Sequence, residues 1–309
     1  MVTTLNKVIY KAFGLNIISQ VPLPELPRMA DRELDTIDVF VEFKELTHRW
    51  NELAEPNRYY VVKENLVMFQ VPNTAIYMIE NGHKIIVSPM RGANTDHVRL
   101  YILGTCMGAL LLQRKILPLH GSAIAINGRA YAIVGDSGAG KSTLASSFLN
   151  KGYQLLSDDV IPISLSNENI PIVTPAYPQQ KLWQESLDAF GMESANYRPI
   201  FEREMKFAVP VTAQFSSTSL PLTGVFELIK TENDDIKIEA ISSLERLHML
   251  FYHTYRNFLM ARLGLMEWHF HITAKIATKI EAFQLQRPIN RFTANDLTNL
   301  ILNKINKEE

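Results

Sequence analysis

The stretch GDSGAGKST, Gly135 to Thr143, constrains this chain more than any other. Glycines at 135 and 140, followed by Lys141 and Ser142, fit the spacing of a phosphate-binding loop. That pattern needs a strand before it and a helix after it, and both are legible. YAIVG runs into Gly135 as an apolar, strand-like segment. KSTLASSFLNKG then carries Leu144, Phe148 and Leu149 at helical spacing, with Gly152 as a stop. The backbone of Gly135, Asp136, Ser137, Gly138, Ala139 and Gly140, continuing through Lys141, Ser142 and Thr143, can turn its N–H groups onto phosphate oxygens. A helix opening near Lys141 aims its positive dipole end at the same place. The Lys141 ammonium can reach the outer phosphates, and the Ser142 hydroxyl can ligate Mg²⁺. The expected ligands are ATP and Mg²⁺.

A loop of this kind works with an acidic residue at a nearby strand end. LLSDD supplies two, Asp158 and Asp159, one helix and one strand beyond Lys141. The short path predicts that this strand lies next to the strand leading into the loop. Neighbouring carboxylates at a strand end point different ways. One can face the metal; the other can face a hydroxyl that attacks the γ-phosphate. The competing reading is an acid pair that only caps a turn.

The rest of the chain divides by texture. Residues 1–96 hold short runs rich in Val, Ile and Tyr, such as TIDVFVEF and TAIYMIENGHKIIVSP, broken by Asn, Gly and Pro. They read as strands and hairpins. Residues 97–309 hold the loop. HVRLYILGTCMGALLLQRK reads as one buried helix, and HGSAIAING with RAYAIVG as a hairpin turning at Asn127-Gly128. TPAYPQQKLW reads as a loop before a short helix, and the polar stretch 192–204 as a loop. SSLERLHMLFYHTYRNFLM reads as a helix, and ANDLTNLILNKINK as an amphipathic helix.

Composition excludes several classes. The formal net charge is −1, because basic and acidic residues almost cancel, and nothing in it suggests a nucleic-acid binder. The apolar run Leu100–Leu112 is too short to span a bilayer, and the N-terminus shows no signal core. The lone cysteine, Cys106, forms no internal disulfide and fits a reducing compartment. A cytoplasmic location, with no membrane partner, is expected.

HGSAIAING, GDSGAGKST and LLSDD together resemble the catalytic core of the HPr serine kinase/phosphorylase family. The resemblance covers about 45 residues, from His120 to Asp159. It implies an α/β (α+β) fold, a P-loop kinase core on a mixed sheet of the HPr kinase/PEP carboxykinase type, behind a β-rich N-terminal domain. It also implies Asp158 as the catalytic acid/base, His120 as the partner of that Asp, and Asp159 with Ser142 on the metal side. After the aspartates this chain reads VTPAYPQQKLWQESL where that family carries a further Gly-rich signature with a metal-binding Glu. The N-terminal module, the PAYPQQKLW segment and the KFAVPV run look more like HPr-kinase-like proteins encoded with ribosomally made peptides. Among these are kinases that phosphorylate the C-terminal serine of a lasso-peptide precursor. The implied partner is such a peptide; oligomers occur in the kinase/phosphorylase family.

Phosphoryl transfer gains from positive charge near the migrating group. Lys206 and Arg256 are the candidates for substrate or phosphate contact, with surface charge as the plainer reading. His269 and His271 in WHFHIT make a weak metal pair and read as structural. Trp183 reads as core packing before it reads as a platform for adenine. Two other functions stay open: a nucleotide-dependent binding protein without transfer activity, and a small-molecule kinase on the same core.

Overall fold

The computed structural model describes residues 7–30, 36–200 and 203–306. These divide into two compact units, one drawn from residues 1–118 and 256–269, the other from 119–255 and 270–309.

Seven strands make the sheet of the first unit: β1 (Val8–Ala12), β2 (Leu15–Ser19), β3 (Val39–Phe43), β4 (Tyr60–Lys63), β5 (Leu66–Val71), β6 (Ala75–Glu80) and β7 (Lys84–Pro89). Their order is β1-β2-β3-β7-β6-β5-β4. Strand β3 runs parallel to both β2 and β7, and the other pairs are antiparallel. Helix α1 (Thr47–Leu53) lays Trp50 against Val61, Met68 and Ile76. The β-rich reading of this region therefore matches its sheet.

The division between units differs from the one expected near residue 96. The apolar run after Asp96 stays with the first unit. It forms α2 (Thr95–Tyr101), a π-helical turn (Ile102–Cys106) and α3 (Met107–Gln113) instead of one uniform helix. Asn94 caps its start by accepting from the Asp96 and His97 amides. At its end Gln113 donates to the Ile79 carbonyl and Arg114 to the Gly82 carbonyl, which ties the run to the sheet. Cys106 is fully buried, and burial pushes its thiol pKa up.

The second unit contains β8 (Leu117–Ile126), β9 (Arg129–Val134), α4 (Lys141–Asn150), β10 (Gln154–Leu165), β11 (Pro171–Val173), β12 (Gln179–Trp183), α5 (Gln184–Ala189), β13 (Arg198–Ile200), β14 (Arg203–Pro210), β15 (Leu220–Thr231), β16 (Lys237–Ala240) and α6 (Ser243–Tyr252). After α7 (Phe258–Arg262) in the first unit, α8 (Met266–Ala277) leads back to β17 (Glu281–Pro288) and α9 (Ala294–Asn306). The main sheet has the order β11-β10-β8-β9-β15-β17-β16. Strands β9, β15 and β17 are parallel neighbours, while β8–β9, β10–β11 and β16–β17 are antiparallel. This is the mixed sheet of an α/β fold. The hairpin β8–β9 turns at Asn127-Gly128 as expected, with both residues at positive φ.

Two expectations fail here. Strand β10, which carries the aspartates, does not neighbour β9; β8 lies between them. The segment QQKLW is not loop but β12, which pairs with β14 in a small antiparallel sheet, β12-β14-β13. Gln and Lys have low strand preference, so the pairing with the KFAVP run, not local propensity, makes the strand. The same sheet takes up part of the stretch 192–204 expected as loop; residues 201 and 202 lie outside the described residues.

Candidate active site

The loop between β9 and α4 has the conformation that its glycines permit. Gly135 takes φ +148°, and a Cβ there would stand 2.4 Å from the Leu228 carbonyl oxygen on β15. Gly140 takes φ +104° at the N-cap of α4. Residues 136–138 are exposed, and Lys141 is buried beneath them. Its ammonium donates to the carbonyls of Gly135 (2.8 Å) and Asp136 (2.9 Å). Burial lowers the Lys141 pKa, against the opposing charges of Asp158, Asp159 and Asp136. Both aspartates of the pair therefore bear electrostatically on the loop lysine.

The pair itself splits across β10. Asp158 is buried, accepting from the Ser122 hydroxyl at 2.5 Å and from the Lys181 backbone N–H at 2.9 Å. Asp159 has φ +81°, a left-handed conformation that a non-glycine residue adopts at a cost. That turn breaks the strand's alternation and swings both its carbonyl and its carboxylate toward β8. The Asp159 carbonyl lies 3.0 Å from Nδ1 of His120, and its Oδ1 lies 3.4 Å from the same nitrogen. Its Oδ2 accepts from the Lys181 ammonium at 2.5 Å. The sequence reading paired His120 with Asp158; the structure pairs it with Asp159. The reason is topological. Because β10 borders β8 directly, both aspartates meet β8 side chains, and the backbone turn decides which of them meets the histidine.

The electrostatics follow from this packing. Burial pushes the Asp159 carboxyl up, but Lys181, His120 and, more weakly, Lys206 outweigh it and hold the pKa well below the usual carboxylate range. Burial works against the Lys181 ammonium as well, and Asp159 overcomes it, raising the lysine pKa. His120 is shifted down by burial, against the pull of Asp159. Its backbone N–H donates to the His253 carbonyl, and Tyr255 packs edge-on at 5.6 Å between ring centres.

Among the other candidates, Lys206 sits on β14 opposite Trp183, with its ammonium 5.3 Å from the Trp183 ring centre. Arg256 belongs to the first unit, where it donates to the Thr105 hydroxyl. His269 and His271 fall on helix α8; burial brings the His269 pKa down to about 4. Among the described residues no three His, Cys, Asp or Glu side chains are grouped to hold a metal ion. No helix among them is long and apolar enough to cross a membrane.

No family model matches this chain. Among curated proteins it is similar to the HPr kinase/phosphorylase of Mycoplasmopsis pulmonis, 34% identical over 93 residues, which covers 29% of this chain and 28% of that protein. The HPr kinase/phosphorylase of Treponema pallidum is 26% identical over 174 residues, 49% of this chain and 54% of that one. That of Nitrosomonas europaea is 26% identical over 170 residues, 50% and 51%. Its relatives are HPr kinase/phosphorylases, at modest identity. The chain spans about half the length, or less, of these curated relatives. The solved HPr(Ser) kinase/phosphatase of Coxiella burnetii aligns with a TM-score of 0.33 at 16% identity, over 62% of this chain and 92% of that one.

Sequence reasoning did not find Ser122, Lys181 or Arg287. Arg287 reaches from β17 to the loop, donating from Nε to the Ala139 carbonyl at 2.7 Å. Ser122 could have been found, since it stands two positions after His120 on the same strand and thus on the same face. Lys181 carried no such signal, because its strand was not recognised.

Proposed function

We propose that this chain is a kinase that uses ATP and Mg²⁺ to phosphorylate a serine hydroxyl on a peptide, the favoured acceptor being the C-terminal serine of a lasso-peptide precursor. The observation that carries the reading is the phosphate loop between β9 and α4 together with the Asp158–Asp159 pair on β10 of the same sheet, inside one unit. Relatives named as HPr kinase/phosphorylases support phosphoryl transfer; the peptide acceptor rests on the wider resemblance to peptide-associated kinases.

The geometry favours exchanging the two roles that the sequence reading gave the aspartates. Asp159 has one oxygen turned to His120 and stands a fifth exposed. It suits the substrate hydroxyl: it accepts the proton as the oxygen attacks the γ-phosphorus and the bond to the bridging oxygen breaks, ADP leaving with the electron pair. Lys181 keeps Asp159 ionised for that task, and His120 fixes its orientation. Lys141 and the loop amides hold the phosphates.

Among the described residues Asp158 accepts hydrogen bonds from neutral donors only, whereas the Asp159 Oδ2 is already engaged by an ammonium. Asp158 and Ser142, in the first turn of α4, are therefore the residues that would hold Mg²⁺. One carboxylate and one hydroxyl suffice, because Mg²⁺ takes its remaining ligands from phosphate and water. When bound, the ion offsets charge on the phosphate oxygens.

Intact-mass spectrometry tests the reading. The chain, ATP, Mg²⁺ and a peptide ending in serine should give a phosphate-sized gain on the peptide, absent with Lys141→Ala. A gain on small alcohols but on no peptide would move the acceptor to a small molecule. ATP binding with no product on any hydroxyl would leave a nucleotide-dependent binding protein and defeat the kinase reading.

A further inference from the structure

A cavity of about 500 Å³ opens beside the phosphate loop, within the second unit. Gly138, Gly140 and Thr143 form its loop wall, and neither Lys141, Ser142, Asp158, Asp159 nor His120 lines it. It is therefore a separate space from the one around the acid pair. A phosphate chain bound on the loop with its reacting end at the aspartates would leave this cavity for the group at its other end.

The chemistry of the wall suits the group attached to that other end. Leu144, Leu228 and Leu297 give it an apolar floor, and Trp183, Ile289 and Phe292 line it while standing 39%, 57% and 45% exposed. Large apolar side chains left open around a cavity mark a binding surface. Phe292 is held in place edge-on by Phe190 at 5.4 Å. Asn290 and Thr293 add hydrogen-bonding groups among these apolar walls. At the loop edge stand two cations. The Lys230 ammonium lies 3.7 Å from where a Cβ on Gly138 would be, and the Arg287 guanidinium 3.5 Å from where one on Gly140 would be. Thr143 is hydrogen-bonded to Ser186 at 2.7 Å, which fixes the loop edge to α5. The volume falls in the range of small-molecule sites.

We propose that this cavity binds the base and ribose of the nucleotide, with the base against the Trp183–Ile289–Phe292 wall and Lys230 and Arg287 beside the inner phosphates. The inference rests on the nucleotide reading above and adds where the nucleoside goes. It also changes the role of Trp183, which the sequence favoured as core packing.

Equilibrium binding in Mg²⁺ compares ATP with inorganic tripolyphosphate, on the full chain and on Ala189→Trp. Ala189 lines the cavity from the exposed end of α5, so the larger side chain fills space without disturbing the core. ATP should bind at least tenfold more tightly than tripolyphosphate, on the scale of one base–aromatic contact. Ala189→Trp should remove most of that advantage and leave tripolyphosphate binding unchanged. Phe292→Ala should weaken ATP alone, and ATP should alter the fluorescence of the wild type but much less that of Trp183→Phe. Equal binding of the two ligands by the wild type, or full ATP affinity in Ala189→Trp, would overturn the inference while the phosphate loop stands. Failure of both ligands to bind would overturn the nucleotide reading itself, and this inference with it.

Discussion

Each unit holds a largely buried ionic cluster of three side chains, and the two arrangements are opposites. In the first, Arg99 donates from Nε to Glu25 at 2.8 Å and from Nη2 to Asp96 at 2.7 Å. One planar guanidinium serves two carboxylates, one of them a turn away on the same helix. Burial works against its charge, and the two carboxylates outweigh that, raising its pKa. In the second, one carboxylate, Asp159, is shared between Lys181 and His120, which come from β12 and β8. Only the second is built on a residue forced to positive φ. A backbone cost of roughly 1–3 kcal/mol is retained where the surrounding structure requires it, and such sites cluster at functional positions. The depressed Asp159 carboxylate in the unit that holds the phosphate loop points the same way. The first cluster has the makings of a staple, the second of a working site.

The largest effect should come from separating the two aspartates. Asp159→Asn keeps the shape and removes the proton acceptor. It should lower kcat by roughly 10²–10⁴, the range for a lost general base, at any Mg²⁺ concentration. Asp158→Asn should instead raise the Mg²⁺ concentration needed for half-maximal rate and recover in part at high Mg²⁺. Initial rates over a Mg²⁺ series decide it. If the variants exchange these behaviours, the original assignment from the family resemblance is right and the one drawn from geometry is wrong.

Lys181→Met tests what the ammonium does. Asp159 then keeps only His120 and the weaker pull of Lys206 against desolvation, so its pKa rises from the depressed value that Lys181 maintains. The acid limb of the kcat–pH profile should move upward, with kcat at neutral pH falling by about tenfold. Stability should change with pH in a matching way. In the wild type the depressed Asp159 pKa contributes stability that is fully present above an unfolded aspartate's value of about 3.9 and fades as pH falls below it toward the native one. The variant should lose this contribution, so the two stability curves converge at low pH. An unchanged acid limb would mean that Lys181 only packs.

How much of this was legible follows the range of the interactions. The phosphate loop is written in consecutive residues, and its glycine spacing, its strand and its helix all stand where the sequence puts them. The aspartates were visible as a pair, but not which one meets His120. That depends on β8 lying between β9 and β10 and on the turn at Asp159, neither of which leaves a local trace. Lys181 was hidden because QQKLW becomes a strand only by pairing with β14. The unit boundary was misplaced for a related reason. A composition shift near residue 96 marks the change from strand to helix, while Gln113 and Arg114 tie that helix back to the first sheet.

The smallest effect on turnover should come from the cluster in the first unit. Arg99→Met leaves Glu25 and Asp96 without their shared cation, and the Oε2 of Glu25 already has no hydrogen-bond partner among the described residues. Arg99 is 7% exposed, so the loss is that of a buried partner, roughly 3 kcal/mol in a denaturant titration. Per folded molecule, kcat and KM should stay within twofold of the wild type, because Arg99 and both carboxylates belong to the first unit and the phosphate loop to the second. Lys181→Met destabilises too, but it moves the pH profile, and that is the readout separating a working site from a staple. A tenfold change in KM for a peptide acceptor in Arg99→Met, with KM for ATP unchanged, would break the comparison and give the β-rich unit a part in acceptor binding.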